Sequence, residues 1–335
     1  MNQFLQLCSG ILFSLSLQQT LVGSSNKFEL SWPTPNTAFV QGLGYHTFLQ
    51  KTGPGKSSSS GAFGCVRNNG KKFHEGIDLF PVRSSTDGRA KDSVYAAIPG
   101  VVRHVNLTSS ASAYGKYLVL EHESFDPVLY SLYGHLDSIP NHLKPGMTVG
   151  VAERLGRMGN TASFSIPLSR SHLHFEVGIR LSGQFQNWYN RQGFKTVNKH
   201  GNFNGYNLAG LDPLHLYSAY QNSSFRSPGE YINSLPVVVK IIIPSRQMPD
   251  LVKRNPSLAI HPSPGNVFSS VECSFGPFGF PLKFLPGSAT LTQPRIIDYN
   301  ENYDSNSCRR LVIQKNGKLH PSELLKTYLE ILFLE

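Results

Sequence analysis

Ser171-His-Leu-His-Phe-Glu176, running on into Val177, is the most informative stretch of this chain. Side chains at i, i+2 and i+4 of an extended strand share one face. His172 and His174 therefore point the same way, and Glu176 joins them if the strand is regular. Similar short runs surround it: Ser93-Val-Tyr-Ala-Ala-Ile98, Lys116-Tyr-Leu-Val-Leu-Glu121 and Leu129-Tyr-Ser-Leu-Tyr133. They are β-branched or aromatic, closely spaced and bounded by Gly, Asn and Pro, which predicts a mostly β, antiparallel sheet domain. No long 3.6-residue period interrupts them between Phe73 and Val177.

The 335 residues suffice for one large domain or two ordinary ones. A hydrophobic fraction of 39% allows a sizeable core, while 16% charged residues with 30 Gly and 22 Pro favour strands and loops over long helices. The net charge of +10 suits an anionic partner, such as an anionic wall polymer. No helix-turn-helix, zinc-finger or RNA-binding signature is present, so nucleic acid is not the expected partner.

Residues 1–24 carry no charged side chain and read as a signal peptide. Cys8–Leu17 forms its apolar run and Val22-Gly-Ser24 a small-residue cleavage site. The run is too short to span a bilayer. Residues 25–222 form the first domain, with a flexible excursion at Ser57–Ser60 and a long surface loop over 178–222. A smaller β-rich domain follows from 224 to 335. It contains the buried-strand candidate Pro236–Ile243 and Pro/Gly-rich turns at Pro262–Gly265 and Gly276–Pro286. It ends in a helix with Leu325, Tyr328, Leu329 and Leu332 on one face. Cys273 and Cys308 could pair, with Cys65 then a lone thiol serving as a buried spacer and Cys8 lost with the leader. No CxxC occurs, which argues against a thiolate zinc site.

Two further segments carry histidine: His74-Glu-Gly-Ile-Asp78 and Tyr133-Gly-His135-Leu136. His74 and Asp78 share a side if their segment is extended. Two imidazoles and one carboxylate make a zinc set with a fourth position left for water, whose pKa falls towards ~7 on the metal. The motif is not H-E-x-x-H, because position 78 is not histidine.

In this order the segments resemble the lysostaphin-like (M23, LytM-type) family of zinc peptidases, the peptidoglycan endopeptidases. The likeness runs through Phe63-Gly-Cys-Val-Arg67, His74–Asp78, Ala97–Val102, Tyr114–His122, Leu132–Leu136, Pro145–Val149, Gly156–Thr161, Ser171–Glu176 and Asp212-Pro213. It spans about residues 60–215. The resemblance implies the lysostaphin-like, duplicated hybrid fold and one Zn²⁺ per chain held by His74, Asp78 and His174. It places His135 and His172 as the catalytic pair beside the metal-bound water and the scissile carbonyl. It implies peptidoglycan stems or bridges as substrate, and a secreted, periplasmic or cell-envelope location. Glu176 is either a partner that orients a histidine or a structural salt bridge; His122 is structural; Tyr114 and Tyr133 pack or line the cleft; Gly159-Asn-Thr161 makes a tight turn. Ala162 stands where the family usually has Gly, the 163–170 connection is slightly long, and 180–210 is a longer insertion than simple members carry. The alternatives are a non-catalytic wall-binding or amidase-activator protein on the same fold, and an anionic-surface binder suggested by charge alone.

Overall fold

The computed structural model describes residues 27–52, 56–260, 267–305 and 307–333. The leader with Cys8 and the Pro262–Gly265 turn lie outside the described residues.

The strands run β1 (Gly64–Arg67), β2 (Lys72–His74), β3 (Ile77–Leu79), β4 (Ser93–Tyr95), β5 (Gly100–Asn106) and β6 (Tyr117–Glu121). Next come β7 (Tyr130–Gly134), β8 (Thr148–Val149), β9 (Arg154–Arg157), β10 (Leu173–Arg180) and β11 (Leu208–Leu211). The later strands are β12 (Val239–Pro244), β13 (Ser270–Phe275), β14 (Pro281–Gly287), β15 (Arg295–Tyr299), β16 (Val312–Lys315) and β17 (Lys318–Pro321). The α-helices are α1 (Phe185–Arg191), α2 (Pro213–Gln221), α3 (Pro228–Asn233), α4 (Asp250–Arg254) and α5 (Glu323–Leu332).

The largest sheet is antiparallel, in the order β11-β10-β7-β6-β5-β8. β3 and β11 share one edge of β10, opposite its first and second halves, and β7 covers the other edge. The first half of β10 is thus an interior strand, and Leu173 to Ile179 are all buried. A four-stranded antiparallel sheet, β14-β13-β12-β15, follows in the C-terminal region. β12 obeys period two: Val239, Ile241 and Ile243 are buried, the residues between them only half so. One cluster of buried apolar side chains runs from Phe28 to Leu332, so both sheets share a continuous core.

The expected helix near the C-terminus is α5. Ser322 caps it by accepting from Leu325 N, and Leu325, Tyr328, Leu329 and Leu332 are buried. The surface loop expected over 178–222 is replaced by the end of β10, then α1, β11 and α2. Pairing drives this, because Val177–Arg180 bonds Leu208–Leu211 in register. Buried Asn207 stands in for a backbone turn: it accepts from Ser182 N and donates to Ser182 O and Asn202 O. Asp212 then caps α2 with Pro213 in its first turn. Ser57–Ser60 is no free excursion, for Ser57 Oγ caps a 3-10 turn at Ser58–Gly61. Pro281–Gly287, read as turn from its prolines, is an edge strand, where a missing N–H is tolerated.

The cysteine pairing is corrected. Cys65 bridges Cys308 across 243 residues, and Cys273 is free and buried. Cys273 sits inside β13 between Ile241 and Phe284 and faces the core, out of reach of Cys308.

Candidate metal centre

Three backbone routes meet at one point. His74 closes β2, Glu75-Gly76 turns the chain, and Asp78 lies in β3 beside β10. His74 and Asp78 are therefore not on one extended strand, yet they converge. The turn requires glycine, since a Cβ on Gly76 would stand 2.2 Å from Phe175 O. His174 lies near the start of β10, with Asp78 opposite on one side and Gly134 on the other.

His74 Nε2, His174 Nδ1 and Asp78 Oδ1 form a triangle with edges of 3.2, 3.2 and 3.0 Å. Zinc bonds of about 2.0–2.1 Å in tetrahedral geometry place ligand atoms about 3.3–3.4 Å apart. The triangle is thus nearly one face of such a tetrahedron, and these three buried side chains could hold a metal ion.

The remaining nitrogens fix how the rings present themselves. His74 Nδ1–H donates to Ala62 O at 2.7 Å, and His174 Nε2–H donates to Glu176 at 2.9 Å. Glu176 also accepts from the Tyr130 hydroxyl at 3.1 Å. His135 Nδ1–H donates to Thr161 O and His172 Nδ1–H to Arg170 O, each at 2.8 Å. Every one of the four rings spends one N–H on a fixed acceptor and turns the other nitrogen inward.

The electrostatics call for a cation at the centre. Burial opposes charge on Asp78, but the neighbouring His74 and His172 and a hydrogen bond from His174 hold its carboxyl well below the usual range. Burial also opposes charge on His174, yet its bonds to Asp78 and Glu176 prevail and push it up to about 9. His135 is pushed down to about 3 by burial and then by its neighbours His172 and His174. Burial lowers His172 as well. Both are therefore neutral near pH 7.

His135 and His172 flank the triangle on its open side, with ring centroids 4.7 Å apart. His135 follows β7 directly at φ 59, a left-handed conformation uncommon outside glycine and typical of functional sites. Its partner Thr161 does more than turn the chain: Thr161 Oγ1 accepts from Lys116 N and donates to Leu136 O. His172 N donates to Gly159 O. The Gly159-Asn-Thr161 turn thus orients both rings. These residues open into a cleft of about 270 Å³, also lined by Tyr114, Phe164 and Arg170.

Of the remaining candidates, Glu176 proves to be a histidine partner. Tyr114 packs against the His174 ring at 5.4 Å and lines the cleft. Tyr133 packs inside, accepting from Ala97 N. His122 is buried away from the cleft, bonded to Pro99 O and Ser131 Oγ, as expected of a structural residue. Sequence reasoning gave Arg67 no role, although it stands in a quoted motif. Its guanidinium pairs with Asp78 Oδ2 and so turns Oδ1 towards the histidines. No spacing rule links residues 67 and 78 across a hairpin, so only the fold reveals the pair.

Residues 72–188 match the model of Peptidase family M23. Among solved structures, a zinc-containing peptidase from Vibrio cholerae is 30% identical, over 31% of this chain and 26% of that one, with a TM-score of 0.24. The catalytic domain of a mutant of the prophage-encoded M23 protein EnpA from Enterococcus faecalis is 21% identical. That match covers 39% of this chain and 80% of that one, with a TM-score of 0.27. The catalytic domain of lysostaphin from Staphylococcus simulans is 17% identical over 52% and 95%, with a TM-score of 0.29. The chain spans about a quarter of the length of the Vibrio cholerae peptidase. None of the curated proteins matches it. The stretch that carries Asp78 and the four site histidines is a match to Peptidase family M23.

Proposed function

We propose that this chain is a secreted zinc metalloendopeptidase that hydrolyses peptide cross-links of peptidoglycan. The observation that carries the reading is the donor triangle of His74, Asp78 and His174 with two further imidazoles turned inward on its open side. Zinc held there would polarise a peptide carbonyl and lower the pKa of water. Glu176 and Ala62 O keep the donor nitrogens aimed inward, and Arg67 keeps Asp78 turned with them. His135 and His172, neutral because burial disfavours their charged forms, each offer Nε2 as a proton acceptor. The ring that takes the proton becomes a donor, able to stabilise charge on the carbonyl oxygen or to protonate the leaving amine. The Cys65–Cys308 bridge supports an oxidising compartment, hence secretion or the periplasm. No helix among the described residues is long and apolar enough to cross a membrane.

The test is metal content and cleavage together. Purified full chain should carry about one zinc and release muropeptides from sacculi. His174→Ala should lose the zinc and at least ~100-fold of the release, as expected when a ligand rather than its support is removed. Zinc-loaded protein that binds sacculi yet cleaves nothing at any pH between 5 and 9 would overturn the peptidase reading and favour a wall-binding role.

A further inference from the structure

A second cavity, of about 450 Å³, adjoins the cleft. Thr52, Arg67 and Lys72 line both, so the two lie side by side. The cavity is lined by the hairpin between β1 and β2 and by the Lys56–Ser60 stretch. Its charged lining residues are Lys56, Arg67 and Lys72, with no Asp or Glu among them, and its neutral lining includes Ser57, Ser59 and Asn68.

Two features, at Lys72 and Lys56, show that positive charge here is not consumed internally. Lys72 is exposed and makes no ion pair among the described residues. Lys56 Nζ reaches only a neutral oxygen, Asn69 Oδ1, at 3.2 Å. Arg67 gives one N–H to Asp78, while its Nε–H is buried with no acceptor. Arg67 lines the cavity and is paired with Asp78 on the metal side.

We infer that this cavity is a subsite for a free carboxylate on the substrate peptide, held by Lys72, Arg67 and Lys56 beside the scissile bond. The inference rests on the peptidase reading for its substrate, and it adds that acidic stems are preferred over amidated ones. Lys56, Ser57, Ser59 and Asn68 are exposed at the mouth, which suits a polar group entering from solvent. Charge-assisted hydrogen bonds from lysine and arginine are the strong class of such contacts, and the fork of Arg67 suits a planar carboxylate.

Cross-linked muropeptides would be prepared in two forms, one with free stem carboxylates and one with those carboxylates converted to amides by carbodiimide coupling. The zinc-loaded full chain should cleave the free form with kcat/KM about fivefold higher, mostly through KM. Lys72→Gln should collapse this ratio towards one, and Lys318→Gln, on the β16–β17 hairpin that lines neither the cavity nor the cleft, should leave it intact. Calorimetry with zinc-free protein reads the same preference without turnover. Equal cleavage of both forms by wild type overturns the subsite and leaves the peptidase standing. No cleavage at all, with tighter binding of the free form lost in Lys72→Gln, keeps the subsite and removes the peptidase. Equal binding of both forms by zinc-free protein also overturns the subsite.

Discussion

The candidate site is carried by two supports of very different kinds. His174 stands near the start of β10, with strands paired on both sides of it within the largest sheet. His74 and Arg67 stand on a two-stranded hairpin, β1–β2, outside that sheet. What steadies the hairpin comes from the far end of the chain. Cys65 is tied to Cys308. Arg309 lies 4.4 Å over the Phe73 ring and donates to the Tyr328 hydroxyl. Phe278 packs edge-on to Phe63 at 5.6 Å and against Phe73 at 5.0 Å. One arm is fixed by strand register, the other by long-range contacts. The C-terminal region is thereby a structural part of the centre even though it supplies no donor to the triangle.

The largest effect should come from cutting the brace. Cys308→Ser should cost about 4 kcal/mol of stability, the scale for a bridge closing a long loop, and should weaken zinc binding with it. Urea unfolding and chelator competition measure the two. Unchanged values for both would mean that the hairpin stands without its brace, and the contrast between the arms would fall.

The next effect belongs to the sheet itself. Burial pushes His122 down to about 4 from an ordinary 6.5. The unfolded chain then binds the proton first as pH falls. The stability is complete above about pH 6.5 and is lost as pH drops towards 4, on the order of 3 kcal/mol in total. Unfolding of wild type and His122→Gln across that range isolates the contribution. Parallel curves would show that His122 does not report on the sheet.

The smallest effect should follow from softening the central arm by one contact. Glu176→Ala leaves the His174 Nε2–H and the Tyr130 hydroxyl without their acceptor. Zinc affinity should fall about 10–100-fold, with Glu176→Gln recovering part of it. Titration against a chromophoric chelator measures this, and an affinity equal to wild type would mean that register alone aims the ring.

The same contrast explains what the sequence disclosed. β10 and its paired histidines follow from period two, and α5 follows from a 3.6-residue stripe, because both patterns are local. Glu176 was legible as a same-face neighbour of His174, either a histidine's partner or a structural salt bridge, and the bond from His174 Nε2–H makes it the partner. The Asn- and Gly-rich stretch before Asp212-Pro213 hid β11, whose four residues gain their order from β10. The Cys65–Cys308 pairing was illegible for a plain reason. Across 243 residues no spacing rule operates, and the Cys273–Cys308 choice rested on nearness in sequence while Cys273 points into a core. Arg67 was missed likewise, since its meaning lies in a carboxylate on another strand.

The bridge also has a consequence in time. A polypeptide is made from its amino end, so every side chain of the triangle emerges before Cys308 does. During that interval Cys65 has only Cys273 downstream as a possible wrong partner. In the folded chain the Cys273 thiol is enclosed within β13, where burial also raises its pKa, and so is withdrawn as a rival to Cys308.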